Sequence, residues 1–228
     1  MFSIGSSASK NYREFFEPSA SSVESRFTTM KRLSEAGIRT GTALMPILPF
    51  ITDSNENLRT IVKKTKESYG QFVLAGGLVL ADKQAEAFYN SLEKYDRNLI
   101  KKYKDLYEGN FSPQDNSWAI VGRKVKSLCS EYGLKYRIKR YIPETPLAIN
   151  KRVAEQLFLK VYEMELNEHN EEEINKWRRL AFLIDEYPKP IINILSRQYL
   201  NALLNINEEP NLERNFIPET REMLLKNS

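Results

Sequence analysis

The sequence predicts an α/β fold, with about three parallel strands covered by helices, followed by a small all-α domain. Two observations lead there. Up to residue 133, apolar strand-like runs alternate with amphipathic helical runs, whereas beyond residue 147 every periodic segment has helical spacing. All nine glycines lie at or before Gly133 and the rest of the chain has none, although glycine ordinarily makes up about 7% of residues. The change marks a boundary, with domains expected at 1–133 and 147–228 and a linker over 134–146.

Phe2 to Ile4 is a short apolar stub. Ser21 with Glu24 has the form of a capping box, in which each side chain bonds a backbone N–H of the other's turn. It opens an amphipathic helix through Phe27, Met30 and Leu33 that Gly37 closes. Ile38 to Leu48 reads as a strand ended by Pro46 and Pro49, since proline cannot donate to a central ladder. Asp53 and Glu56 form a second capping box, for a helix running to Tyr69 and Gly70, and Phe72 to Leu80 is the next apolar strand. Helices follow from about Asp82 to Lys94, from Asn98 to Tyr107 and from Trp118 to Tyr132. Strands separated by helical crossovers pair in parallel. The second part reads as helices over Asn150 to Leu166, Glu171 to Asp185, Pro190 to Leu204 and Pro218 to Leu225.

At 228 residues, 41% hydrophobic and 11% aromatic, the chain can bury a real core and is not of disordered composition. No apolar run approaches the roughly 18 residues that span a bilayer, and the N-terminus lacks a basic and apolar leader, so a cytoplasmic protein with no membrane partner is expected. One cysteine, Cys129, and one histidine, His169, exclude an intrachain disulfide, a zinc ribbon, His–His metal motifs and an iron-sulfur cluster ligated by this chain alone. His169 lies in an acidic, loop-like stretch and reads as a surface residue. Without a second histidine or a nucleophile turn there is no hydrolase site. The net charge of +4 sits in the first part: 19 basic and 15 acidic residues precede residue 134, and 15 of each follow. The tail therefore carries no net attraction for nucleic acid.

Glu17-Pro18, then Ser21, Ser22 and Arg26, Leu33 to Ile38, Met45-Pro46-Ile47-Leu48-Pro49, Asp53, Phe72 to Leu78 and Gln84 to Tyr89 together resemble the second half of a radical S-adenosylmethionine (SAM) barrel of the spore photoproduct lyase-like group. The resemblance covers roughly residues 2–107. It implies a partial (β/α) barrel, SAM and a 4Fe-4S cluster as cofactors, and reductive cleavage of SAM to a carbon radical, with a DNA lesion or other nucleic acid as the candidate target. The group's CxxxCxxC loop, which ligates the cluster, is absent. The chain is therefore expected to be the C-terminal portion of such an enzyme, whether fragment, split gene or truncated product, inactive without an N-terminal half as partner.

In parallel α/β structures ligands sit at the carboxyl ends of the strands. Ser3, Ser6 and Ser7 are then candidates to bond a ribose, with ordinary turn serines as the alternative. Under the resemblance, Arg26 would bind the SAM carboxylate and Glu17 its amino group; a mutual salt bridge or a solvated helix face is the other reading. Gly76 and Gly77 within a strand allow close approach of an adenine ring or another backbone, or form a β-bulge.

The linker interleaves Lys135, Arg137, Lys139 and Arg140 with Tyr136 and Tyr141, a pattern that suits nucleic acid or a solvated connector. Beyond it, Ala148 to Ile184, with Trp177 to Asp185 and Pro188, resembles the helix-hairpin-helix region of family X DNA polymerases, and implies DNA as a partner. The hairpin of that family is glycine-rich so that its N–H groups grip a phosphate. Here residues 206–210 read Ile-Asn-Glu-Glu-Pro, and two carboxylates repel phosphate. Arg178 and Arg179 remain phosphate candidates or plain surface charge. Two further readings are kept: a non-catalytic nucleic-acid-binding module, and an interaction scaffold.

Overall fold

Ser22, one residue after the serine expected from the capping-box pattern, caps helix α1 (Val23–Glu35), its hydroxyl accepting from the N–H of Ser25 at 3.0 Å. The same displacement recurs at helix α2 (Asn55–Glu67), where Ser54 rather than Asp53 accepts from the N–H of Asn57. Either neighbour offers an oxygen to the orphan donors of a first turn, and the residue with extended backbone takes the role. The computed structural model describes residues 1–4, 12, 15–138, 140–206 and 216–226. Ser6, Ser7, Lys139 and the turn 207–210 lie outside the described residues, as does the side chain of Ser3.

Three parallel strands, β1 (Phe2–Ser3), β2 (Gly41–Ile47) and β3 (Phe72–Gly77), form a sheet in that order. With helices α1 and α2 as its crossovers this is an α/β fold, mostly helical. Pro46 does not end its strand as expected. It lies inside β2 where the register shifts, Leu44 opposing Ala75 and Ile47 opposing Gly77, so that β2 carries an extra residue and the missing N–H falls at the irregularity. Leu134 and Lys135, at the start of the segment read as a linker, belong to the sheet: Leu134 is buried and Lys135 bridges to Phe72, accepting from Val73 N–H and donating to Gln71. Those bonds occupy backbone groups of β3 that an uncovered edge would leave open.

Residues 1–138 form one compact unit. Its main core joins Phe27 and Met30 of α1, Leu44 and Ile47 of β2, Leu58, Ile61 and Val62 of α2, Val73 of β3, and Val125, Leu128 and Cys129 of α5 (Ser117–Glu131). A second, aromatic cluster is built on α3 (Asp82–Asp96) and α4 (Asn98–Tyr107), around Leu80, Leu92, Leu99, Tyr103 and Tyr107.

Residues 139–228 form the other unit, with helices α6 (Ala148–Leu166), α7 (Glu171–Glu186), α8 (Arg197–Leu204) and α9 (Phe216–Lys226). Its core is the stripe Val153, Leu157 and Val161 of α6 against Ile174, Trp177, Leu180 and Ile184 of α7, closed by Leu200 and Leu203. The helix expected from Pro190 to Leu204 is instead a single 3-10 turn, Ile191–Asn193, followed by α8, because Ser196 caps α8 through the N–H of Tyr199 and breaks the run. Among the described residues no helix is long and apolar enough to cross a membrane.

Candidate functional site

At the carboxyl end of the sheet, Met45 and Pro46 of β2, Leu48 after it and Leu78 after β3 line a cavity of about 580 Å³. Phe2, Tyr12, Phe16 and Phe88 give it aromatic walls, and among the described residues Glu17 and Arg26 are its charged side chains. This is where parallel α/β sheets receive ligands.

Arg26 occupies the first turn of α1 and is buried, which costs several kcal/mol for an unpaired charge. Its Nη2 donates to Glu17 Oε2 at 2.6 Å and its Nε to the Ser21 carbonyl at 3.0 Å; the side chains of Arg26 and Glu17 are 9% and 20% exposed. Glu17 also accepts from the hydroxyl of Tyr12, whose pKa is pushed up by burial and by the carboxylate beside it, against the opposing pull of Arg26. The phenol therefore stays a donor. Tyr12, Glu17 and Arg26 form a chain of bonded groups in a cavity whose other described lining residues, Ser21 apart, are apolar or aromatic, able to offer a carboxylate and a guanidinium to a zwitterionic ligand.

Two tyrosines of α4 secure the strand ends that shape this cavity. Tyr103 donates to the Pro49 carbonyl at 2.6 Å, and Tyr107 to the Leu78 carbonyl at 2.8 Å. Both phenols are pushed up in pKa, by burial first. Phe16, Phe88 and Tyr103 continue from them as neighbouring rings, Phe88 standing 5.7 Å from Phe16 and 5.0 Å from Tyr103.

Sequence reasoning singled out Glu17 and Arg26, and the fold brings them together. It passed over Tyr12, Phe16, Phe88, Tyr103 and Tyr107. The spacing of four in Tyr12/Phe16 and Tyr103/Tyr107 was a usable signal for one helical face. Gly76 and Gly77 do not line the cavity. A Cβ on Gly76 would stand 3.1 Å from Cβ of Met45, and one on Gly77 would stand 3.2 Å from the indole of Trp118, so the close approaches these glycines allow are to protein.

Arg137 is half-buried in the first unit. Arg140 grips Asp185 with both Nη atoms, at 2.7 and 3.2 Å, and Lys151 reaches the same carboxylate at 3.2 Å. Burial raises the pKa of Asp185, but the bonds from Arg140 and Lys151 outweigh it and the net shift is downward. Arg178 bonds Glu165 at 2.7 Å and also Asn175. Arg140 and Arg178 are thus committed to carboxylates on their own unit. Tyr141 is 85% exposed, and Arg179 is exposed with no partner among the described residues.

Cys129 is fully buried in the main core, and burial pushes its thiol up to about 12. Among the described residues no group of three or more His, Cys, Asp or Glu side chains is placed to hold a metal ion. Cys129 is expected to resist a thiol reagent such as dithionitrobenzoate in the native protein and to react stoichiometrically in guanidinium, since the thiolate is the nucleophile. Rapid native labelling would show that the core opens there.

Compared with known protein families, with curated proteins and with solved structures, the chain gives no match.

Proposed function

We propose that residues 1–138 serve as the SAM- and substrate-contacting part of a radical SAM enzyme of the spore photoproduct lyase-like group, their strands forming part of its (β/α) barrel, with the 4Fe-4S cluster ligated from outside this chain. The observation that carries this reading is the cavity at the carboxyl ends of parallel strands, holding a buried Arg26 paired with a half-buried Glu17 among aromatic walls. Its volume lies within the roughly 300–1,000 Å³ usual for small-molecule sites. In such enzymes bound SAM supplies a carbon radical. Here Arg26 would receive its carboxylate and Glu17 its ammonium, while the apolar and aromatic walls exclude water around them. The cluster does not fit this chain, because its one cysteine is sealed in the core.

Calorimetric titration of the full chain is expected to show saturable binding of SAM. Glu17→Gln should weaken SAM roughly tenfold, about 1.4 kcal/mol, and leave adenosine unchanged. Absence of SAM binding, or equal affinity in the variant, refutes the reading.

A second reading, a nucleic-acid-binding helical unit, is favoured by the exposed Tyr141 and by the exposed Arg179, which has no partner among the described residues. Salt-dependent binding of duplex DNA that falls in a Tyr141→Ala, Arg179→Ala double variant would support it.

A further inference from the structure

Beyond β3 the chain shapes a second cavity, of about 420 Å³, lined by Leu80, Ala85, Tyr89, Lys104, Tyr107, Gly109 and Asn110. Leu80 and Ala85 give it an apolar floor, and two phenol rings stand in its wall. Among the described residues no carboxylate lines it. Tyr107 spends its proton on the Leu78 carbonyl. Tyr89 is half-buried, its hydroxyl has no hydrogen-bond partner among the described residues, and desolvation raises its pKa, so it remains a donor. Lys104 is exposed at the rim, in no ion pair among the described residues. An unsatisfied donor at a partly buried position is unfavourable until something accepts from it. Here the Tyr89 hydroxyl is such a donor, and the exposed Lys104 ammonium adds a charged donor at the rim of an apolar and aromatic recess.

From this we propose that the second cavity binds a small planar molecule that carries an anionic group, its ring against Tyr89 and its anion accepting from the Tyr89 hydroxyl and the Lys104 ammonium. Packing on the Tyr89 ring and the apolar floor supplies affinity, and the two donors supply selection for negative charge. The site stands on its own residues and does not depend on the radical SAM reading. It adjoins the first cavity through one residue: Leu78 lines the first, and its carbonyl is held by Tyr107 of the second.

The test uses the full chain and three probes of one shape, indole-3-carboxylate, indole and tryptamine, followed by NMR or calorimetric titration. The order expected is carboxylate tightest, indole weaker, tryptamine weakest. Lys104→Ala, an exposed position, should weaken the carboxylate by roughly two- to fivefold and leave indole unchanged, the range for one solvated ion pair. Tyr89→Phe should weaken the carboxylate alone, and Ala85→Phe, which fills the recess, should abolish all three. Carboxylate binding that survives Ala85→Phe, equal affinity for the three probes, or no binding of any probe at millimolar concentration would each overturn the proposal.

Discussion

Asn150→Leu is expected to destabilise the helical unit by about 3 kcal/mol. Asn150 is fully buried on α6, and its amide is the knot that ties the chain leaving α7. Nδ2 donates to the carbonyls of Tyr187 at 3.1 Å and Lys189 at 2.9 Å, and Oδ1 accepts from the N–H of Ile191 at 2.9 Å. Leucine matches the volume but deserts three backbone groups, each of which costs on the order of 1 kcal/mol when left unpaired in a dry interior. The loss is read by urea unfolding. The chain has two tryptophans, Trp118 in the first unit and Trp177 in the core of the second, so a Trp118→Phe background makes Trp177 fluorescence report the helical unit alone. Asn150→Asp, which keeps the acceptor and loses the donors, should fall at least as far. A loss below about 0.5 kcal/mol would mean that water takes over the three groups and that the knot is not structural.

That knot shows which features of this molecule can be read from its residues. Periodicity located the helices on both sides of the boundary, because apolar spacing is a local property; Asn98–Tyr107 was placed to the residue. Cap positions slipped by one at Ser22 and Ser54, since two adjacent polar residues compete and tertiary contacts choose between them. Pairing over long separations was hidden. Nothing in the local sequence says that Arg140 will meet Asp185, 45 residues on. Nor does it say that Tyr103 will bond the carbonyl of Pro49, 54 residues back, and so shape the cavity. Glu17 and Arg26 were accessible because nine residues and one helix start separate them. The two glycines at the end of β3 were noticed for a sound reason, close approach, but the neighbours, Met45 and Trp118, are set by the fold.

Gly41→Ala is expected to cost the first unit about 3 kcal/mol, and the reason is a glycine the sequence did not single out. Gly41 opens β2 opposite Phe72 of β3, in the middle of the parallel sheet. A Cβ there would stand 2.5 Å from the Phe72 carbonyl oxygen and 2.6 Å from its ring. The ring might be imagined to swing away, but the carbonyl is backbone. Phe72 is itself held on its other side by the bridge to Lys135, and the next residue, Val73, is fully buried, so relief requires β2 and β3 to part. Overpacking of this kind costs roughly 1–3 kcal/mol, and the backbone clash places Gly41 at the upper end. Gly37→Ala is the control: it has φ of +78° but nothing within 4 Å of its Cβ, so it bears only backbone strain, about 1 kcal/mol. In a Trp177→Phe background, where Trp118 reports the first unit, the midpoint of unfolding should fall about three times as far for Gly41→Ala as for Gly37→Ala. If the two variants are equal, the strands yield more easily than their packing implies, and the strand ends that frame Glu17 and Arg26 are correspondingly less fixed.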